Sequence, residues 1–189
     1  MKETGILFRP EMIRAYFEGR KTQTRRVIKG EPTEVVTIVG RDNKPNGEYV
    51  LCFDGFNSVI QKRIRCPYGN KGDVIWSRET IGYPRDGGPV IYRADGGWAE
   101  SPDFAKNLLE DGKWTPAIHQ PRCHSRASMV LSNVRAERLQ DITEADAIAE
   151  GFYFIYEFAR YIDEINGKGT WECNPWVWVL EFPRFAKGL

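Results

Sequence analysis

The chain has 189 residues, with 27 lysines and arginines against 26 aspartates and glutamates, for a formal net charge of +1. That length suits one domain with a sizeable core and is short for two independent ones, and the balanced charge leaves any attraction to nucleic acid to local clusters. Cys52, Cys66, Cys123 and Cys173 form no CxxC pair, no apolar leader follows the first methionine, and the apolar run at 177–180 is far too short for a bilayer, so a cytoplasmic protein with reduced thiols and no membrane partner is expected.

Ile6, Leu7 and Phe8 form a short apolar run that reads as a strand, and Pro10, whose missing N–H suits a first helical turn, opens a helix. Met12, Ile13, Tyr16 and Phe17 share one face of that helix, and Gly19 ends it. The stretch GRKTQTRRVIKG, residues 19–30, then sets Arg20, Lys21, Arg25, Arg26 and Lys29 close together. Residues 34–39 and 49–53 are β-branched and aromatic runs separated by RDNKPNGE, whose Asn-Gly pair suits a hairpin turn. The turn-rich loop CPYGNKGD leads into VIWSRE, a strand entering the core.

Glycine, proline and tryptophan are frequent in residues 82–122, which read as an elaborated insertion with one helix over 102–110. From Ala127, the positions of Met129, Leu131, Val134 and Leu139 predict a long, bulged strand. Thr143 is the expected N-cap of a helix, with Asp146 at the capping-box position and Gly151 as terminator. A second helix is expected over 154–165 and a closing strand over 176–182, with Trp176 and Trp178 filling core or groove edges.

The basic stretch admits three readings from its residues alone. Its cations are solvated or paired with Glu18, Glu79 or the acids of the late helix; or its arginine forks clamp phosphate; or it does chemistry. Tyr83, Tyr92, Trp98, Trp114 and Trp171 are candidates for stacking on bases. His119, Cys123 and His124 lie close together but match no standard zinc spacing, and neither a phosphate-cradling P-loop nor a GxSxG elbow is present, so no metal and no cofactor are expected.

Gly19, Lys21, Thr24 and Arg26 meet a motif of glycine, any residue, lysine, two residues, a polar residue, one residue and arginine. Gly72 and Asp73 precede a strand ending in Arg78 and Glu79, and the helix ITEADAIAEGF is followed by the strand VWVLEF. On these three features the chain resembles the ASCH domains, and its layout is similar to the longer ones carried by phages and prophages. The resemblance implies an α+β fold, a PUA-like β-barrel with flanking helices, forming a single domain over 1–189 with an inserted hairpin and loops at about 31–60 and 81–122. It also implies a partner among RNA, modified DNA or a modified nucleoside.

Within that superfamily, the small bacterial amidohydrolase that deacetylates 4-acetylcytidine has a motif similar to GRKTQTRR, which implies a catalytic set of Lys21, Thr24 and Glu150. Many ASCH proteins carry glutamate where Thr24 stands. The threonine hydroxyl needs a base, and Lys21 serves only if burial and the charges of Arg20, Arg25 and Arg26 bring its pKa down. Glu150 then protonates the departing exocyclic amine. In a regular strand Lys21 and Thr24 face opposite sides, so this chemistry requires irregular backbone between 20 and 24. Arg20, Arg25, Arg26, Arg78 and Glu79 are expected to contact nucleic acid or substrate, with Glu79 alternatively the ion-pair partner that holds the basic stretch. The rival functions are a non-catalytic reader of RNA or modified DNA in the same pocket, and a ribonuclease, an activity reported elsewhere in the superfamily.

Overall fold

A computed structural model describes residues 1–29, 34–39, 45–53, 60–96, 107–109 and 113–185, an α+β arrangement of short helices and small sheets. Strand β1 (Glu3–Leu7) leads into helix α1 (Pro10–Phe17), which buries Met12, Ile13 and Tyr16 as their spacing predicts and has proline in its first turn. Gly19 turns the chain at φ 76°, a left-handed conformation that disfavours a side chain. Residues 20–22 are irregular, and β2 (Gln23–Val27) begins only after them.

Strands β3 (Glu34–Val39), β4 (Pro45–Phe53) and β5 (Ile60–Arg65) make an antiparallel meander. The Asn46-Gly47 pair lies inside β4 rather than in a turn, next to a register shift between Thr37 and Val39, where glycine suits a bulge. The connection itself, 40–44, lies outside the described residues. Strand β6 (Val74–Arg78) is followed by the short pair β7 (Ile81–Gly82) and β8 (Ile91–Tyr92). The helix expected over 102–110 falls largely outside the described residues.

The long strand expected from Ala127 is two strands in different sheets, β9 (Ser128–Val130) and β10 (Asn133–Arg138). The chain changes sheet at residues 131 and 132: Leu131 N–H still donates to Asp73 O beside β6 (2.8 Å), whereas Ser132 N–H already donates to Glu181 O (2.9 Å). Helices α2 (Glu144–Glu150), α3 (Ile155–Asn166) and α4 (Thr170–Cys173) follow, and β11 (Trp176–Glu181) closes the fold. Thr143 and Asp146 form the expected capping box, and Gly151 ends α2 at φ 100°.

Among the described residues, one sheet has the order β1-β6-β9, with β1 and β6 parallel, and another has the antiparallel order β10-β11-β2. Strand β11 separates two cores because residues alternate across it. Trp178 and Leu180 join Ile6, Phe8, Ile13 and Met129 on one side; Val177 and Val179 join Leu139, Ala147, Phe158 and Ile162 under α2 and α3 on the other. Trp176 packs at the margin of the first core. No helix among the described residues is long and apolar enough to cross a membrane.

Candidate functional site

The edge strand β2 is seated against α2 by polar contacts spaced along both elements. Thr22 N–H donates to Ala149 O (2.8 Å), and the Gln23 amide donates to Asp146 O (3.0 Å) and Asp146 Oδ1 (2.8 Å). Gly151 closes the end of the helix on this seam: a Cβ there would stand 3.0 Å from Ala15 Cβ and 3.7 Å from Lys21 Cβ. The sequence thus brings GRKTQTRR and the end of the late helix together, as the resemblance implies.

Lys21 is 1% exposed, and its ammonium donates to Glu150 O (2.7 Å) and Glu150 Oε2 (2.8 Å), while Glu150 is itself 3% exposed. A charge so buried is tolerable only when paired and hydrogen-bonded. Arg25 extends the network: its Nη2 lies 2.6 Å from Glu137 Oε1 and 3.4 Å from Asp146 Oδ2, and its Nη1 lies 3.4 Å from Glu150 Oε1. Arg135 continues it to Glu137 (2.9 Å) and to Glu181. Arg25 is therefore enclosed by carboxylates and does not present its fork to a phosphate.

The two faces of β2 divide its functional side chains. Arg25 is opposite Val179 and points to the core under α2 and α3, whereas Thr24 and Arg26 are opposite Leu180 and Trp178 and point to the other core. The irregular backbone at 20–22 lets Lys21 approach this second group: its ammonium lies 6.0 Å from the centroid of the Phe8 ring, and the Arg26 guanidinium lies 5.8 Å from the same ring. Thr24 is 3% exposed, and its hydroxyl is not among the acceptors of the Lys21 ammonium.

Burial pushes the Lys21 amine below its ordinary pKa; Glu150 opposes that shift and the nearby Arg26 and Arg25 reinforce it. At Asp146, burial acts to raise the pKa, but hydrogen bonds from Gln23 and Thr143 and the charge of Arg25 outweigh it and bring the carboxyl down to about 2. Burial pushes the Tyr161 hydroxyl up to about 12.

A cleft of about 340 Å³ opens beside the Lys21–Glu150 pair, lined by their chain neighbours Arg20 and Gly151 together with Glu11, Tyr153, Arg160 and Tyr161. Arg20 donates to Gly151 O (2.9 Å), pairs with Glu18 and lies 5.9 Å from the Tyr153 ring. Near the cleft, Tyr153 and Tyr156 are each 66% exposed and Phe154 is 51% exposed, with Phe154 and Tyr156 stacked at 5.4 Å. This aromatic run, FYFIY, was not among the residues expected to stack; its signal in the sequence is three aromatics in the short link between two helices.

Arg26 donates to Leu7 O (2.7 Å), and Arg78 lies over the Trp76 ring at 5.3 Å with a long contact to Gln120 O (3.5 Å). Glu79 does not hold the basic stretch. Its carboxylate pairs with Arg126 (2.7 Å), which also bonds Asp95 and lies 4.0 Å from the Tyr92 ring, and its N–H donates to Gln120 Oε1 (2.6 Å). Glu79 follows the end of β6 and is bonded to the 120–126 segment, of which residues 120–122 end the expected insertion and Arg126 lies beyond it. Of the expected stacking residues, Tyr92 is thus occupied by Arg126, Trp171 packs on Phe158, and Trp98 lies outside the described residues. The His124 ring packs edge-on against Tyr83.

Sequence reasoning also missed Asp146, Glu137 and Arg135 as site residues. Asp146 and Glu150 stand at i and i+4 on α2, which puts two carboxylates on one face opposite the basic strand, and that spacing was available to read. No family model, curated protein or solved structure matches the chain.

Proposed function

We propose that the chain is a PUA-like ASCH protein that recognises a base or nucleoside in RNA or modified DNA, acting as a reader. The observation that carries this reading is the cleft lined by Arg20 and Gly151, the chain neighbours of the buried Lys21–Glu150 pair, whose surroundings expose Tyr153, Phe154 and Tyr156. Exposed aromatics offer faces on which bases stack, and the charged side chains that line the cleft, Glu11, Arg20 and Arg160, discriminate among the donors and acceptors of base edges. The first core lying between the β1-β6-β9 and β10-β11-β2 sheets supports a barrel-like closure of those sheets. A cytoplasmic home is supported by the free thiols of Cys66, Cys123 and Cys173.

A second reading, hydrolysis of an acyl amide on the exocyclic amine of cytidine, is favoured by the lowered pKa of the Lys21 amine. In it the Thr24 oxygen attacks the acyl carbonyl and gives its proton to Lys21, and the cytidine amine leaves with a proton from Glu150. Water then releases the acid from Thr24. The direct Lys21–Glu150 contact at 2.8 Å counts against it, since Lys21 must turn from Glu150 to Thr24 and a base must part the pair.

Incubation with cytidines, acylated and plain, free and within oligonucleotides, followed by mass spectrometry and binding measurements, separates these readings. Saturable binding without turnover supports the reader, loss of the acyl group replaces it with the hydrolase, and no binding to any member refutes both.

A further inference from the structure

The outer face of the β1-β6-β9 sheet carries a feature that the Lys21–Glu150 site does not use. Ile75 and Ser77 point to the core, so Trp76 and Arg78 point outward, beside the outward-facing Gly5 and Leu7 of β1 and Ser128 and Val130 of β9. Gly5 is what lets the indole lie down on the sheet: a Cβ there would stand 2.6 Å from Trp76 Cζ2 and 2.8 Å from Arg78 Cδ. Leu7 is 46% exposed and Val130 51% exposed, so the face is open to solvent.

Two guanidinium groups flank the indole, Arg78 at 5.3 Å and Arg122 at 5.5 Å. Arg122 spends Nε on Glu3 (3.0 Å) and Nη2 on Ser128 Oγ (2.9 Å). Arg78 has no carboxylate partner among the described residues; its one bond is the 3.5 Å contact to Gln120 O, and its buried Nε–H has no acceptor. A partly buried arginine with an unmet donor lacks an anion. Among the described residues, Arg26 donates to a backbone carbonyl, that of Leu7, the residue paired with Arg78 across β1 and β6.

We propose that this sheet face is a second contact surface, for the backbone and bases of a single-stranded nucleic acid. Arg78 supplies the fork for phosphate, Arg122 adds positive charge beside it, and Trp76 with its guanidinium partners supplies planes on which a base stacks. The excess of cation over carboxylate selects a polyanion over a neutral partner. The surface is separate from the Lys21–Glu150 pair, so it makes the ligand a strand rather than a free nucleoside without depending on what that pair does.

The test is fluorescence anisotropy with labelled single-stranded RNA and DNA of about twelve nucleotides, comparing the wild type with Arg78→Gln/Arg122→Gln and with Val130→Glu. The second variant adds a carboxylate to an exposed position and leaves the arginines and their packing in place. Both are expected to weaken binding about tenfold or more, and loss of the Arg78 phosphate contact in the double arginine variant is expected to flatten the log–log salt dependence by roughly 0.7 for a single strand. Calorimetric nucleoside binding by the same variants is expected to stay at the wild-type level. Oligonucleotide affinity unchanged in both variants, or no binding by the wild type, overturns the proposal whatever the nucleoside result. Oligonucleotide binding lost in these variants but retained in Lys21→Met upholds this surface even if the reading of the Lys21–Glu150 site fails.

Discussion

Replacing Glu150 by glutamine removes the carboxylate that, among the described residues, bonds the Lys21 ammonium, and keeps the shape of the side chain. Lys21 is then left at 1% exposure, with the cations of Arg25 and Arg26 nearby. Breaking a buried pair by removing one partner costs about 3–5 kcal/mol, which for a chain of this size lowers Tm by roughly 10 °C. The pH dependence identifies the cause. Burial already places the folded-state pKa of Lys21 below its unfolded value, and losing Glu150 lowers it further. A base shifted this way penalises the fold at low pH, and the penalty fades as pH rises from the folded pKa toward the unfolded value of about 10.4. Denaturant unfolding of wild type and Glu150→Gln across neutral to alkaline pH is therefore expected to show a gap at pH 7 that narrows as pH rises. Adding Lys21→Met to Glu150→Gln is expected to recover much of the loss. A gap below about 1 kcal/mol, or one independent of pH, would refute the buried-pair account.

Asp146 has its folded pKa lowered to about 2, so its contribution is present above pH ~4 and is lost as pH falls through the folded value. With the side chain 24% exposed, that contribution is about 1–2 kcal/mol, and acid titration of stability is expected to be flatter in Asp146→Asn than in wild type. Gly151→Ala is expected to cost about 1–2 kcal/mol and to disturb the Lys21 seam, because it forces a left-handed alanine against Ala15; an unchanged Tm would contradict that packing. Glu79→Gln is expected to lower Tm by removing the buried carboxylate that Arg126 bonds while nucleoside binding persists, and loss of binding at unchanged Tm would instead put Glu79 at the ligand.

Much of the scaffold was legible because local rules and tertiary packing agree. Pro10, Gly19, Thr143 and Gly151 mark their helix ends by backbone chemistry alone, and α1 shows its buried face in its spacing. The split of β9 from β10 was not legible, because apolar residues continue through the point where the chain leaves β6 for β11. The Asn-Gly pair in β4 misleads for a related reason, since a bulge and a hairpin turn ask for the same residues. At the site, the proximity of Lys21 to Glu150 came from the resemblance, not from periodicity. Partner choice among charges was legible only in part: pairing of the basic stretch with Glu18 or the acids of the late helix is one of its readings, and Arg20 pairs with Glu18, Lys21 with Glu150 and Arg25 with Asp146 and Glu150, but the place of Glu137 beside Arg25 and the pairing of Glu79 with Arg126 depend on contacts between distant segments.

The central claim is that the cleft lined by Arg20, Gly151 and Tyr153, next along the chain to the Lys21–Glu150 pair, takes a base. Isothermal titration of plain and N4-acylated cytidine nucleotides into wild type, Tyr153→Ala and Lys21→Met tests it most directly. The account predicts saturable binding by the wild type, weakened by roughly 1–3 kcal/mol in Tyr153→Ala through lost stacking and abolished in Lys21→Met at unchanged secondary structure. Equal affinity in all three proteins, or heat of dilution alone with the wild type, would contradict it.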